Sequence, residues 1–134
     1  MSNDKDIYNT YMPPGFHTVT PYMTAKDAKV LLDFFKKAFH AMELDRTEVD
    51  GVIRNVIVQI GDSSFMIGSN PDPQPSQFLL YVDDPDAMHA RAIECGAKNI
   101  MKVEDRDYGD RQGGVEDIAG NKWWISKRLS EEPY

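Results

Sequence analysis

The side chains that could do chemistry are few, and they do not cluster along the chain. The three histidines, His17, His40 and His89, lie far apart, and none stands in a triad-like pattern with a serine or cysteine. Nucleophilic catalysis therefore has no support from the residue pattern. Cys95 is the single cysteine, so no internal disulfide forms and the fold rests on packing. It reads either as a small helix-end residue before Gly96 or as a reactive thiol. Arg111 could clamp an anionic group through its planar fork, or pair with Asp110 or Glu116 at a strand edge. Glu116 and Asp117 could form an acid/base pair, or simply bound the turn Ala119-Gly120-Asn121.

Charge and composition narrow the function classes. The net charge of −7 repels phosphate backbones, which disfavours a nucleic-acid partner and slightly favours a cationic ligand. No apolar run approaches the roughly 20 residues needed to cross a bilayer. Residues 1–11 are polar and hold no apolar signal core, so a cytoplasmic location and no membrane partner are expected. A length of 134 residues with 41% hydrophobic residues suits one domain with a real core.

The elements follow from periodicity. A tail over 1–14, ending in Pro13-Pro14-Gly15, precedes a strand predicted over His17–Met23. Ala28, Leu31, Leu32, Phe35, Ala38 and Phe39 recur at helical spacing, giving a helix over 27–39 with one apolar face. Asp50-Gly51 joins strand-like runs 42–49 and 52–60, a strong hairpin signal. A short strand over 64–67 follows, and Pro71, Pro73 and Pro75 mark 69–76 as a linker. The order then repeats: a strand over 77–82, a helix from Asp84-Pro85 to Cys95 stopped by Gly96, and strands over 98–104, 111–116 and 122–127. A second tail covers 129–134.

Both halves read β-α-β-β-β at an offset of roughly 57 residues. Ile60, Phe65, Met66 and Ile67 fall opposite Ile118, Trp123, Trp124 and Ile125. Each half alone has a helix on only one face of its sheet. Two halves that curl their sheets together would enclose a shared cavity, which points to an α+β fold of two paired modules around a central cleft. A ferredoxin-like sandwich whose halves look alike by chance is the alternative.

The ordered segments Thr18-Val19-Thr20-Pro21-Tyr22-Met23, Leu32-Asp33-Phe34-Phe35-Lys36-Lys37-Ala38-Phe39, Ile60-Gly61-Asp62-Ser63, Tyr81-Val82-Asp83-Asp84 and Gly120-Asn121-Lys122-Trp123-Trp124-Ile125 resemble the vicinal oxygen chelate superfamily, the glyoxalase/bleomycin resistance protein/dioxygenase group. Tyr108-Gly109-Asp110-Arg111 and Gly114-Val115-Glu116-Asp117 belong to the same resemblance. It implies a domain over 15–128 made of βαβββ modules 16–69 and 77–127, usually as a homodimer, with a ligand in the concave sheet. In metal-dependent members four side chains hold a divalent cation, and these positions fall at Thr20, Met66, Gln77 and Trp124. None is a His, Asp or Glu, and a divalent metal needs imidazole, carboxylate or thiolate donors. No metal and no cofactor are therefore expected.

Strand alternation from Thr20 puts Thr18, Tyr22 and Thr24 on one side, with Asn55, Ile57, Gln59, Ser64, Met66, Gln77, Leu79, Tyr81, Trp124 and Ser126. The opposite set, including Val19, Met23, Val56, Val58, Phe65, Ile67, Phe78, Leu80, Trp123 and Ile125, is far more apolar and is expected to pack under the helices. The candidate ligand-binding residues are Thr20, Tyr22, Ile57, Gln59, Met66, Gln77, Leu79, Tyr81 and Trp124, joined by Arg111. Their aromatic, amide and hydroxyl groups suit a small organic molecule, a drug or metabolite. Capture without turnover is the leading expectation. A metal-dependent lyase, isomerase or dioxygenase, and an interaction module with a filled cleft, are the alternatives.

Overall fold

Each helix begins where a side chain can satisfy its free amide groups. In the computed structural model, which describes residues 5–133, α1 spans Ala28–Phe39. Asp27 caps it, accepting from the Lys29 amide at 3.0 Å. Helix α2 spans Pro85–Glu94, with Asp84 accepting from the Ala87 amide at 3.1 Å and proline in the first turn. His40 ends α1 in the left-handed conformation at φ 56°, a task usually given to glycine.

The strands are β1 (Tyr22–Ala25), β2 (Met42–Val49), β3 (Val52–Ile60), β4 (Ser63–Ser69), β5 (Gln77–Tyr81), β6 (Lys98–Asp105), β7 (Asp110–Glu116) and β8 (Lys122–Arg128). They form two mixed four-stranded sheets, ordered β1-β4-β3-β2 and β5-β8-β7-β6. In each, the first strand runs parallel to the last and the other pairs are antiparallel. The two βαβββ modules expected from the repeat are thus present. Asp50 and Gly51 both take positive φ, 52° and 79°, the conformation a two-residue hairpin turn requires.

The first strand starts later than its composition suggests. Pro21 has no N–H to offer a ladder, and the Thr20 hydroxyl donates to the carbonyl of His17 at 2.8 Å, closing a local turn. Val19 is consequently 84% exposed and is not part of the buried apolar set.

The rest of that set builds one core. Val56, Val58, Ile67 and Ile125 are fully buried, and Phe65 and Trp123 nearly so. Phe35 of α1 bridges the modules, with ring centroids 5.9 Å from Phe65 on β4 and 5.3 Å from Trp123 on β8. Helix α1 thus covers the apolar face of the first sheet and reaches Trp123 of the second, while α2 packs on the second sheet itself. Among the described residues no buried side-chain nitrogen or oxygen lacks a hydrogen-bond partner.

Candidate functional site

The other face of each sheet carries the polar and aromatic set. On the second sheet, register places Leu79, Trp124, Gly114 and Met101 in one row, and Tyr81, Ser126 and Gln112 in the next. Leu79, Tyr81, Met101, Tyr108, Asp110, Gln112 and Trp124 line a broad hollow of about 480 Å³ over this face. Gly114 makes room for its floor. A Cβ at that position would lie 2.6 Å from Cζ3 and 2.7 Å from Cε3 of Trp124, so the indole lies over bare backbone. Its Nε1 donates to Gln77 Oε1 at 3.0 Å, which fixes the ring's orientation.

Polar groups sit around this aromatic floor. Gln112 is buried and donates to the Ser126 hydroxyl at 2.6 Å, while the Tyr108 hydroxyl donates to its Oε1. Asp110 is 1% exposed and accepts from Arg128 Nη1 at 3.0 Å. The same guanidinium nitrogen donates to the carbonyl of Tyr108 at 2.7 Å, tying the loop before β7 to β8. A charge buried this deeply needs such a partner. The arrangement offers stacking surfaces and a few fixed polar groups, the usual make-up of a small-molecule site. Nothing in it assembles a nucleophile with a base.

The structure divides the expected ligand-binding residues into three groups. Leu79, Tyr81 and Trp124 meet at the hollow, with Gln77 behind the indole. Tyr22, Met66 and Ile57 share one row of the first sheet, with Gln59 on the same face, and none of them lines that hollow. There the Tyr22 ring lies across Gly68, where any Cβ would strike its hydroxyl, and Asn55 Nδ2 donates to Met66 Sδ at 3.4 Å. Thr20 and Arg111 form the third group. Thr20 lies before β1 with its hydroxyl engaged by the chain itself.

Arg111 does not line that hollow. It lies on the helix side of β7, where Nε and Nη2 each donate to Asp86 of α2 at 2.7 Å and Nη1 donates to Asp105 at 2.9 Å. Those two carboxylates raise its pKa, and Arg111 in turn lowers that of Asp86. Its role is to hold α2 against the sheet, through partners that the sequence reading did not single out.

Asp117 is likewise a structural residue. Its buried carboxylate accepts from the amides of Ala119 and Asn121 at 2.9 and 3.0 Å, from Asn121 Nδ2 at 3.0 Å and from Trp123 Nε1 at 2.8 Å. Burial pushes its pKa up, against the pull of those donors. His89 is half-buried and occupied, its Nε2 within 3.0 Å of Asn99 Oδ1 and 3.2 Å of the Gly114 carbonyl. Both neighbours are acceptors, so this nitrogen carries the proton.

The side chains at the four positions that the resemblance aligns with metal ligands carry no imidazole, carboxylate or thiolate and are otherwise engaged. Thr20 bonds its own chain, Met66 sulfur faces an amide, Gln77 holds an indole, and Trp124 is that indole. Among the described residues, no group of three or more His, Cys, Asp or Glu side chains comes together. Met101, Tyr108, Asp110 and Gln112 were absent from the sequence-derived set. Counting alternation back from Gly114 along β7 places Gln112 and Asp110 on the Trp124 face. Tyr108 and Met101 reach the hollow from a loop and from an irregularly paired strand, and neither leaves a periodic signal.

No family model matches the sequence. An uncharacterized protein of Mycobacterium bovis is 30% identical over 128 residues, covering 84% of each chain. One from Mycobacterium tuberculosis H37Rv is also 30% identical over 128 residues, covering 84% of this chain and 75% of its own. Among solved structures, TioX from Micromonospora sp. ML1 superposes with a TM-score of 0.74 at 22% identity, covering 84% of this chain and 99% of that one. A glyoxalase/bleomycin resistance protein/dioxygenase family enzyme from Burkholderia phytofirmans gives 0.68 at 17% identity, covering 82% and 97%. These likenesses are of fold, and among the described residues no helix is long and apolar enough to cross a membrane.

Proposed function

From the premise that this chain belongs to the family of those mycobacterial proteins and, by fold, to the vicinal oxygen chelate superfamily, we propose that it binds a small organic molecule without a metal. The supporting observation is the hollow over the second sheet, where Trp124 is held flat by Gly114 and Gln77 beside Leu79 and Tyr81. Stacking on a fixed indole favours a planar ligand, and the buried Gln112 amide and Tyr108 hydroxyl border that surface. The mechanism is stoichiometric capture of a drug-like or metabolite-like compound in the cytoplasm.

A second copy of the chain completes the site in this reading. Tyr22, Leu79 and Tyr81 are 57%, 56% and 53% exposed. Large side chains so exposed on the edge strands β1 and β5 are suited to cover one another across an interface. The Tyr22, Ile57, Gln59 and Met66 face of one copy would then close over the Trp124 hollow of the other as a homodimer.

The test is a panel of planar aromatic compounds, cationic members included, titrated against the protein while Trp fluorescence is followed. Saturable binding that Trp124→Ala abolishes, in a protein that keeps its circular dichroism, supports the assignment. Absence of affinity for every compound in a folded protein contradicts it.

A further inference from the structure

On the helix side of the sheets, a second cavity of about 370 Å³ lies where the two modules meet. Phe39, Phe65, Phe78 and Trp123 form its inner wall, and Met23 and Met88 are part of its lining. The wall is fixed. Trp123 has ring centroids 5.1 Å from Phe39 and 4.9 Å from Phe78, and its indole nitrogen is anchored on Asp117. The two methionines are unbranched and polarizable, and can adjust to what enters. Strands β1 and β5 are each the outermost strand of a sheet and do not pair with one another, and α1 stops at Phe39, so among the described residues nothing fills the gap.

The turn after β3 supplies polar groups to the lining. Asp62 and Ser63 are exposed there, with the Ser63 hydroxyl donating to Asp62 Oδ1 at 3.1 Å. No ion pair engages Asp62 among the described residues. An aromatic interior with a carboxylate at its border is complementary to an apolar body that carries a positive charge. An anionic end would instead meet a like charge, in a chain whose net charge is already −7.

We propose that this cavity is a second ligand site, on the opposite face of β8 from the Trp124 hollow and bordering it at Leu79 and Tyr81 of β5, and that it takes a small amine with an aromatic or otherwise apolar body. The body packs against Phe39, Phe65, Phe78 and Trp123, and the ammonium group sits at Asp62. The volume is near the lower end of the roughly 300–1,000 Å³ usual for small-molecule pockets, which fits one ring on a short chain.

Trp123 and Trp124 point to opposite faces of β8, so their indole N–H resonances report separately on the two sites. The ¹⁵N-labelled full chain is titrated with 3-phenylpropylamine and, in parallel, with 3-phenylpropionate; Trp124→Phe assigns the two indole signals. The expected result is a saturable shift of the Trp123 indole by the amine, with affinity about two- to fivefold above the carboxylate, the size of an exposed charge contact. Asp62→Asn should remove that preference and leave the spectrum otherwise folded. A Trp123 signal that neither probe moves overturns the site. Equal affinities, or a preference that survives Asp62→Asn, overturn the amine assignment. Shifts confined to Trp124 and Gln112 also overturn the inference, while leaving the capture site over the second sheet intact.

Discussion

Gly114→Ala tests whether the floor of the hollow is built as described. The added Cβ would sit 2.6–2.7 Å from two ring carbons of Trp124 and 3.0 Å from Ile100 Cγ1. Ordinary carbon contacts are roughly 3.5–4.0 Å, so the indole must move by about 1 Å. Overpacking of this kind costs about 1–3 kcal/mol. Loss of the Trp124–Gln77 hydrogen bond adds roughly 0.5–1 kcal/mol. Alanine offsets part of this, because glycine in a strand interior is itself unfavourable by roughly 0.5–1 kcal/mol. The last two terms roughly cancel, so the net expectation is a destabilisation of about 1–3 kcal/mol in urea unfolding, with a changed Trp emission maximum and weaker capture of any compound that stacks on Trp124. Unchanged emission and unchanged affinity would show that the ring is not held over Gly114, and the described floor would be wrong.

Asp117→Ala should be costly, because it strands the Trp123 indole N–H and two turn amides in a buried setting; a loss of roughly 3 kcal/mol in chemical unfolding is expected, with Asp117→Asn recovering part of it. Glu43 is held at a pKa of about 2, below its ordinary 4.5, by hydrogen bonds from Arg46 and Lys36. Its folded pKa is depressed, so its contribution of about 1 kcal/mol is present above pH 4.5 and is lost as pH falls toward 2. Glu43→Gln should flatten that part of the acid-unfolding curve. Arg111→Met should change stability little, since its partners are largely exposed, and should leave ligand affinity at the Trp124 hollow unchanged.

Much of the fold was legible because the two halves repeat the same alternation. Phe65-Met66-Ile67 and Trp123-Trp124-Ile125 take matching positions, with Met66 beside Tyr22 and Trp124 beside Leu79. Local chemistry interrupted that pattern at the first strand, where Thr20 and Pro21 favour a turn over a ladder. For Arg111 the sequence pointed to an anion clamp or to pairing with Asp110 or Glu116, whereas its ion-pair partners are Asp86 and Asp105. Its partner Asp86 lies on another element, and only the docking of α2 reveals the contact. The floor of the hollow depended on an absent side chain: Gly114 reads as ordinary strand glycine until Trp124 is seen lying over it. The cavity beside Trp123 had no signature at all, since it is made where two modules fail to fill the space between them.

Binding to metal-free protein decides whether capture in the Trp124 hollow needs a metal. The full chain is dialysed against chelator, checked by elemental analysis, and titrated calorimetrically with a planar aromatic ligand selected from the panel. Affinity is expected to be unchanged before and after dialysis, with no divalent metal retained and with binding lost in Trp124→Ala. Stoichiometric metal in the fresh protein, and binding that disappears on its removal and returns with it, would overturn metal-free capture in favour of the metal-dependent alternative.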